Sequence, residues 1–201
     1  MTTSTSERIL DAALEAFGTT GYAAVSLDAL AVDLGVSKQT ILYWFPSKEA
    51  LLAAVVEQGA GELTEVVEAS LEKAGEGFDR VRCVVRAVFR LAARHPALLG
   101  LLREVSRLGP PAATQMTECL EPLLGRATSF LQAEMDAGKM RTSNPRLLLL
   151  AMYSTVIGML TEVDVLAALG EEVSARSLVR RRSDVLELLR SALMVEPASS
   201  M

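Results

Sequence analysis

The chain is short of most of what catalysis uses. Its 201 residues include two cysteines and one histidine. Cys83 and Cys119 are far apart and form no CxxC pair, so they read as two reduced thiols rather than a metal or redox site. With His95 alone, no HExxH and no glycine-rich phosphate loop, no catalytic constellation can be assembled. An enzyme is therefore not expected, and neither is a cofactor or metal. His95 precedes Pro96, a place for a helix cap or a dipole interaction. Basic charge is lacking too: the formal net charge is −5, which gives no broad electrostatic attraction to nucleic acid. The most apolar run, Leu147 to Leu160, contains Ser154 and Thr155 and ends at Glu162 and Asp164. It is shorter than the roughly 20 residues that span a bilayer. The polar start, Met1 to Ser6, has neither the basic nor the apolar region of a signal peptide. No membrane partner and a cytoplasmic location are expected. Strand alternation, repeats and low-complexity segments are missing as well.

What is present is helical periodicity in a chain that is 50% apolar. The pattern predicts an all-α protein of about nine helices. The first starts near Ser6, with Ile9, Leu10, Ala13, Leu14 and Phe17 on one face. The second follows Ser26 and buries Leu27, Leu30, Ala31 and Leu34. The third occupies residues 37–45. The fourth runs from Ser47 to about Leu71, interrupted or frayed near Gly59-Ala60-Gly61. Further helices are expected over Phe78–His95, from Pro96 to before Gly109, on to about Ala137, from Asn144-Pro145 to about Leu169, and from Val173 to Met194. A disordered tail is expected from Glu196.

The most informative stretch is Gly35-Val36-Ser37-Lys38-Gln39-Thr40-Ile41-Leu42-Tyr43-Trp44-Phe45-Pro46-Ser47-Lys48. Gly35 can take the left-handed conformation that stops one helix, and Ser37 can cap the next. Pro46 limits that second helix to about two turns. A short helix after a tight glycine turn is the second half of a helix-turn-helix, with Lys38, Gln39, Thr40, Tyr43 and Trp44 free to meet phosphates and base edges.

Residues 6–52 resemble the DNA-binding half of the TetR family of transcriptional regulators. The matching residues are Val25-Ser26-Leu27-Asp28-Ala29-Leu30-Ala31, Leu34-Gly35-Val36-Ser37-Lys38-Gln39-Thr40, Tyr43, Phe45, and Pro46-Ser47-Lys48-Glu49-Ala50-Leu51-Leu52. The resemblance implies a helix-turn-helix domain over residues 1–46 and a helical ligand-binding and dimerisation domain over 47–201. It also implies a homodimer bound to a double-stranded DNA operator, acting as a repressor that releases DNA when a small, largely apolar effector binds. Three positions depart from the family pattern. Gln39 stands where glycine or proline is common, Leu42 where an aromatic is common, and Trp44 where histidine or tyrosine is common.

Residues 1–50 carry Arg8, Lys38 and Lys48 against Glu7, Asp11, Glu15, Asp28, Asp33 and Glu49. Phosphate contacts are therefore expected from backbone N–H groups, helix N-termini and the hydroxyls of Ser26, Ser37, Thr40 and Tyr43 more than from cations. Lys38 and Lys48 are the cationic candidates. Gln39 can pair with adenine N6 and N7, and Leu42 can meet a thymine methyl. Tyr43 can bond a phosphate or pack on the first helix; Trp44 can face the DNA backbone or pack on the fourth.

Met152, Val156 and Leu160 on the eighth helix are candidates for the dimer interface. Leu178, Arg182, Val185, Leu186, Leu189 and Leu193 on the last are the others. Candidates to line an effector pocket are Phe89, Arg103, Met116, Leu120, Met152 and Tyr153, although such apolar side chains are more often simply core and such an arginine more often exposed surface.

Overall fold

The structure is a computed structural model that describes residues 4–172 and 174–195. The tail expected to be disordered lies outside the described residues. Within them the chain forms ten helices, α1 Thr5–Thr19, α2 Leu27–Leu34, α3 Lys38–Trp44, α4 Lys48–Leu71, α5 Phe78–Arg94, α6 Pro96–Leu108, α7 Ala112–Asp136, α8 Pro145–Thr161, α9 Val163–Ala168 and α10 Ala175–Leu193. The only β-type pairing among the described residues is one antiparallel bridge between Met140 and Met194.

Two expectations are corrected here. Ten helices replace nine because the expected eighth helix breaks at Glu162, whose ψ of 59° is not helical. Arg181 from α10 donates from Nη1 to the Met159 carbonyl at 2.5 Å, satisfying an acceptor that the break leaves without its helical partner. The second correction concerns α4, which continues unbroken through Gly59 and Gly61. Gly59 is there for packing: a Cβ on it would lie 2.9 Å from Leu98 Cδ1.

The described chain forms two compact units. The first combines residues up to Glu65 with Arg94–Leu120, and so contains α1–α3, most of α4, α6 and the start of α7. Its core includes Ile9, Phe17, Ile41, Leu51, Val55, Leu98 and Leu101. The closest approach in this unit is between α1 and α6. A Cβ on Gly100 would lie 2.0 Å from the Gly18 carbonyl oxygen, and one on Gly18 would lie 1.9 Å from that of Ala97. Only glycine fits at both positions. The second unit combines Val66–Ala93 with the residues from Glu121 onward. Its core includes Val81, Phe89, Leu131, Met135, Val156, Val185 and Leu189. The boundary inside α7 falls one residue before Pro122, which interrupts the ladder of that helix.

Candidate nucleic-acid interface

Local chemistry builds the α2–turn–α3 element. The Ser26 hydroxyl accepts from Ala29 N–H at 3.1 Å and starts α2. Gly35 ends it at φ +66°, while Val36 N–H returns to the Ala31 carbonyl at 3.0 Å, a Schellman closure. Arg8 from α1 adds a bond to the Leu34 carbonyl at 3.2 Å. The Ser37 hydroxyl accepts from Thr40 N–H at 3.1 Å and starts α3. Three residues after the end of α3, Ser47 caps α4 through Ala50 N–H at 3.1 Å. Each serine therefore has a structural task as well as any role toward phosphate.

α3 buries Ile41 and leaves Gln39, Tyr43 and Trp44 facing water. Tyr43 is 81% exposed and Trp44 46%, and their rings meet edge to face at 5.4 Å. Tyr43 is therefore not packed onto α1 as a core residue, while Trp44 is covered over about half its surface. Leu42 is half-buried. Thr40 is half-buried, with its hydroxyl 2.9 Å from that of Ser37.

The two cationic candidates are engaged within the chain. Lys38 Nζ lies 2.8 Å from Asp28 Oδ2 in an exposed pair that contributes little stability. Lys48 is held more firmly. Its Nζ donates to the Tyr22 carbonyl at 2.5 Å and sits 4.2 Å above the centre of the Tyr22 ring. Lys48, expected at a phosphate, pins the α1–α2 loop to the start of α4 in this structure.

Tyr22 is the centre of a network that sequence reasoning missed. Its N–H donates to Glu104 Oε1 on α6 at 2.8 Å, and its hydroxyl donates to Glu49 Oε1 on α4 at 3.2 Å. Its ring packs edge to face on Phe17 of α1 at 5.3 Å. Burial, then the nearby Glu49 charge, raises the Tyr22 pKa. The Glu49 carboxyl is held below its ordinary value, chiefly by its own backbone N–H at the helix start and by the Ser47 hydroxyl. Glu104 is 82 positions from Tyr22, so no local signal links them.

Residues 9–55 match the family of bacterial regulatory proteins called tetR. The RutR transcriptional regulator of Escherichia coli is 27% identical over 151 residues, 73% of this chain and 69% of that one. EthR of Mycolicibacterium smegmatis is 25% identical over 169 residues, covering 82% and 74%. Residues 9–55 are therefore a TetR-family DNA-binding region, and the relatives that match over most of the chain are helix-turn-helix transcriptional regulators. FadR of Bacillus subtilis has the same fold, with a TM-score of 0.76 at 22% identity over 92% of this chain and 97% of that one.

The residues expected to line a pocket fall in both compact units. Phe89, Met152 and Tyr153 belong to one compact unit, and Arg103, Met116 and Leu120 to the other. None lines either of the two clefts described. Phe89 and Met116 are buried core residues, whereas Arg103 and Tyr153 are exposed. The larger cleft, about 470 Å³, is lined by Glu76, Gly77, Phe78, Glu134, Met140 and Arg190, among others. The second, about 430 Å³, lies along α7 and the start of α8.

The dimer candidates also divide. Val156, Val185, Leu189 and Leu193 are buried in their own unit, so they are corrected from interface to core. Met152, Leu160, Leu178, Arg182 and Leu186 are half-buried. The apolar side chains that face outward are Leu147, Leu150 and Tyr153 on α8 and Val179 and Leu188 on α10. No described helix is long and apolar enough to cross a membrane. His95 makes no capping bond, and its Nδ1 lies 3.8 Å from Glu62 Oε1.

Proposed function

We propose that the protein is a homodimeric repressor whose residues 1–46 read an operator and whose residues 47–201 pair two copies and bind an effector. The observation that carries the DNA-reading assignment is the solvent-facing row of Gln39, Tyr43 and Trp44 on a helix anchored by buried Ile41. Two adjacent aromatic rings exposed on a seven-residue helix offer a partner apolar surface to cover. In this reading Gln39 pairs with a base edge, while Tyr43 and the Ser37–Thr40 hydroxyls bond phosphates. Lys38 can exchange Asp28 for a phosphate at small cost, because their ion pair is exposed. Lys48 acts through the loop it pins.

Pairing through α8 and α10 is supported by what a single chain leaves open. Leu147 is 64% exposed and Leu150 57%. Along the exposed face of α10, Arg176 and Arg180 precede Asp184 and Glu187, so two copies crossing antiparallel bring opposite charges together. Such a dimer offers two α3 helices about 34–36 Å apart, one turn of B-DNA. An effector that favours another spacing releases the operator, with a coupling of about 1–3 kcal/mol. α4 is the mechanical link, since it starts beside the pinned loop at Lys48 and continues to Leu71. FadR of Bacillus subtilis was solved with stearoyl-CoA, which supports a largely apolar effector here.

The test is to sequence the genomic fragments that the protein retains, with and without a metabolite panel. The expected result is an inverted repeat with half-sites one helical turn apart, lost with at least one compound. Recovery of no enriched fragment would reject the DNA-reading assignment, and single half-sites would reject the dimer.

A further inference from the structure

The break between α8 and α9 has no evident local cause. From Met159 to Leu169 the chain contains neither glycine nor proline, so it carries no stop signal for a helix. Thr161 is suited to cap a new helix, yet its hydroxyl donates back to the Ile157 carbonyl at 2.9 Å. No side chain caps α9. Among the described residues, the N–H groups of Val163, Asp164 and Val165 bond no carbonyl. Their neighbours do: Glu162 N–H keeps the Gly158 carbonyl at 3.0 Å, and Leu166 N–H takes that of Glu162 at 2.9 Å. In an unbroken helix the three open groups would bond the carbonyls of Met159, Leu160 and Thr161.

The group that competes for one of those carbonyls comes from α10. Arg181 is 6% exposed, and its Nη1 donates to the Met159 carbonyl, the acceptor that Val163 N–H would otherwise take. Its Nε is buried without a partner. A buried cation held by a neutral carbonyl is costly, and an apolar side chain of similar volume costs less. Arg181 is therefore a poor filler for this place, and its one evident task there is to occupy Met159.

We propose that Arg181 is the clasp of a two-state joint. With Arg181 on the Met159 carbonyl, α8 stops and α9 starts afresh with Leu166 buried. With Arg181 released, Val163 N–H takes that carbonyl and α8 runs unbroken to Ala168, roughly 10 Å longer. The clasped state keeps the guanidinium bond and the burial of Leu166. The released state gains three backbone bonds but carries Leu166 about 80° round the helix from the buried Val156. Opposed gains of similar size are what allow two states of one chain. The joint lies wholly in the second unit and does not depend on the repressor reading. In the proposed dimer it would set the length of α8 available for pairing.

The test is amide hydrogen exchange, read by NMR on the full-length protein without DNA. In the unmutated protein the Val163, Asp164 and Val165 amides should exchange within about tenfold of an unstructured chain. Arg181→Met removes the donor and leaves an apolar side chain. It should keep the fold, slow the Asp164 and Val165 amides at least about tenfold, and move the Glu162 Cα shift to a helical value. Adding Val163→Pro should restore fast exchange at both amides, because proline there clashes with the Met159 carbonyl of an unbroken helix. Four results would each overturn the proposal. Slow exchange in the unmutated protein would mean that there is no break to hold. A folded Arg181→Met protein with exchange as fast as before would mean that the local sequence sets the break. Failure of Arg181→Met to fold would mean that the joint has no second state. Protection that survives Val163→Pro would come from something other than a continued helix. None of these results bears on the DNA-reading assignment, which the genomic fragments decide.

Discussion

Replacing Gly100 by alanine adds one methyl group where α6 presses on α1. The new Cβ would lie 2.0 Å from the Gly18 carbonyl oxygen and 2.9 Å from the carbon of the same group. Real Cβ atoms essentially never come within 3.0 Å of such neighbours, so the helices must separate by about 1 Å. Overpacking of this kind costs about 1–3 kcal/mol, and here the obstacle is backbone rather than a flexible side-chain tip. In a chain of this size each kcal/mol lowers the melting temperature by about 2–4 °C, so a fall of about 2–12 °C is expected. The damage should reach the DNA-reading helix. Glu104, one turn after Gly100, accepts the Tyr22 N–H at 2.8 Å, and a shift of about 1 Å breaks that bond. Tyr22 then holds Lys48 and Glu49 less firmly, and operator affinity should fall several-fold even well below the melting temperature. Gly125→Ala is the control, because its Cβ meets only Glu121 Oε1 at 3.9 Å. It should stabilise the protein by about 0.5–1 kcal/mol through helix propensity alone. Calorimetry and a gel-shift titration on the three proteins decide the matter. A Gly100→Ala protein with unchanged melting temperature and operator affinity would refute the reasoning.

Three further outcomes follow from the same structure. Leu150→Glu, at a position 57% exposed in one chain, should leave helicity intact but weaken the dimer at least 100-fold by sedimentation, because a buried unpaired carboxylate is costly. Gly35→Ala should destabilise by about 1–2 kcal/mol in chemical denaturation, with Gly35→Asn less harmful, since nothing lies within 4 Å and only the left-handed backbone at φ +66° opposes a side chain. The Glu49 carboxyl, lowered on folding, contributes stability that is present above its ordinary pKa and lost as pH falls through the lowered one. Tyr22, raised on folding, does the opposite: its contribution is complete below its ordinary value of 10.0 and is lost at higher pH. Glu49→Gln should flatten the acid limb of the stability profile, and Tyr22→Phe the alkaline one.

The helix-turn-helix was legible because its signals are local. Ser26, Gly35, Ser37, Pro46 and Ser47 each act within four residues of themselves, and all five fall at element ends. Long-range partners were not legible. Nothing near Gly100 or Glu104 says that α6 packs on α1 and holds the loop before α2. Nor does the local sequence show that α6, which lies beyond the division expected at residue 46, groups by its contacts with α1–α3. Periodicity marked α8 and α10 as apolar but could not say which side faces inward. Val185 and Leu189 took the core, and Leu188, one position away, was left outside. The contact of Lys48 with Tyr22, 26 residues earlier, was not legible, because a lysine over a distant tyrosine has the same local sequence as one reaching for a phosphate.

The central claim is that α3 reads DNA, with Gln39 selecting a base and Tyr43 holding the backbone. The most direct measurement is the affinity of the unmutated protein, Gln39→Ala and Tyr43→Phe for the recovered operator and for random duplex of equal length, at one salt concentration. Tyr43→Phe should weaken both duplexes by the same factor. Gln39→Ala should cost about 1–3 kcal/mol on the operator alone and relax preference at one base position. Equal losses on both duplexes from both substitutions, or no loss on the operator from either, would contradict the account.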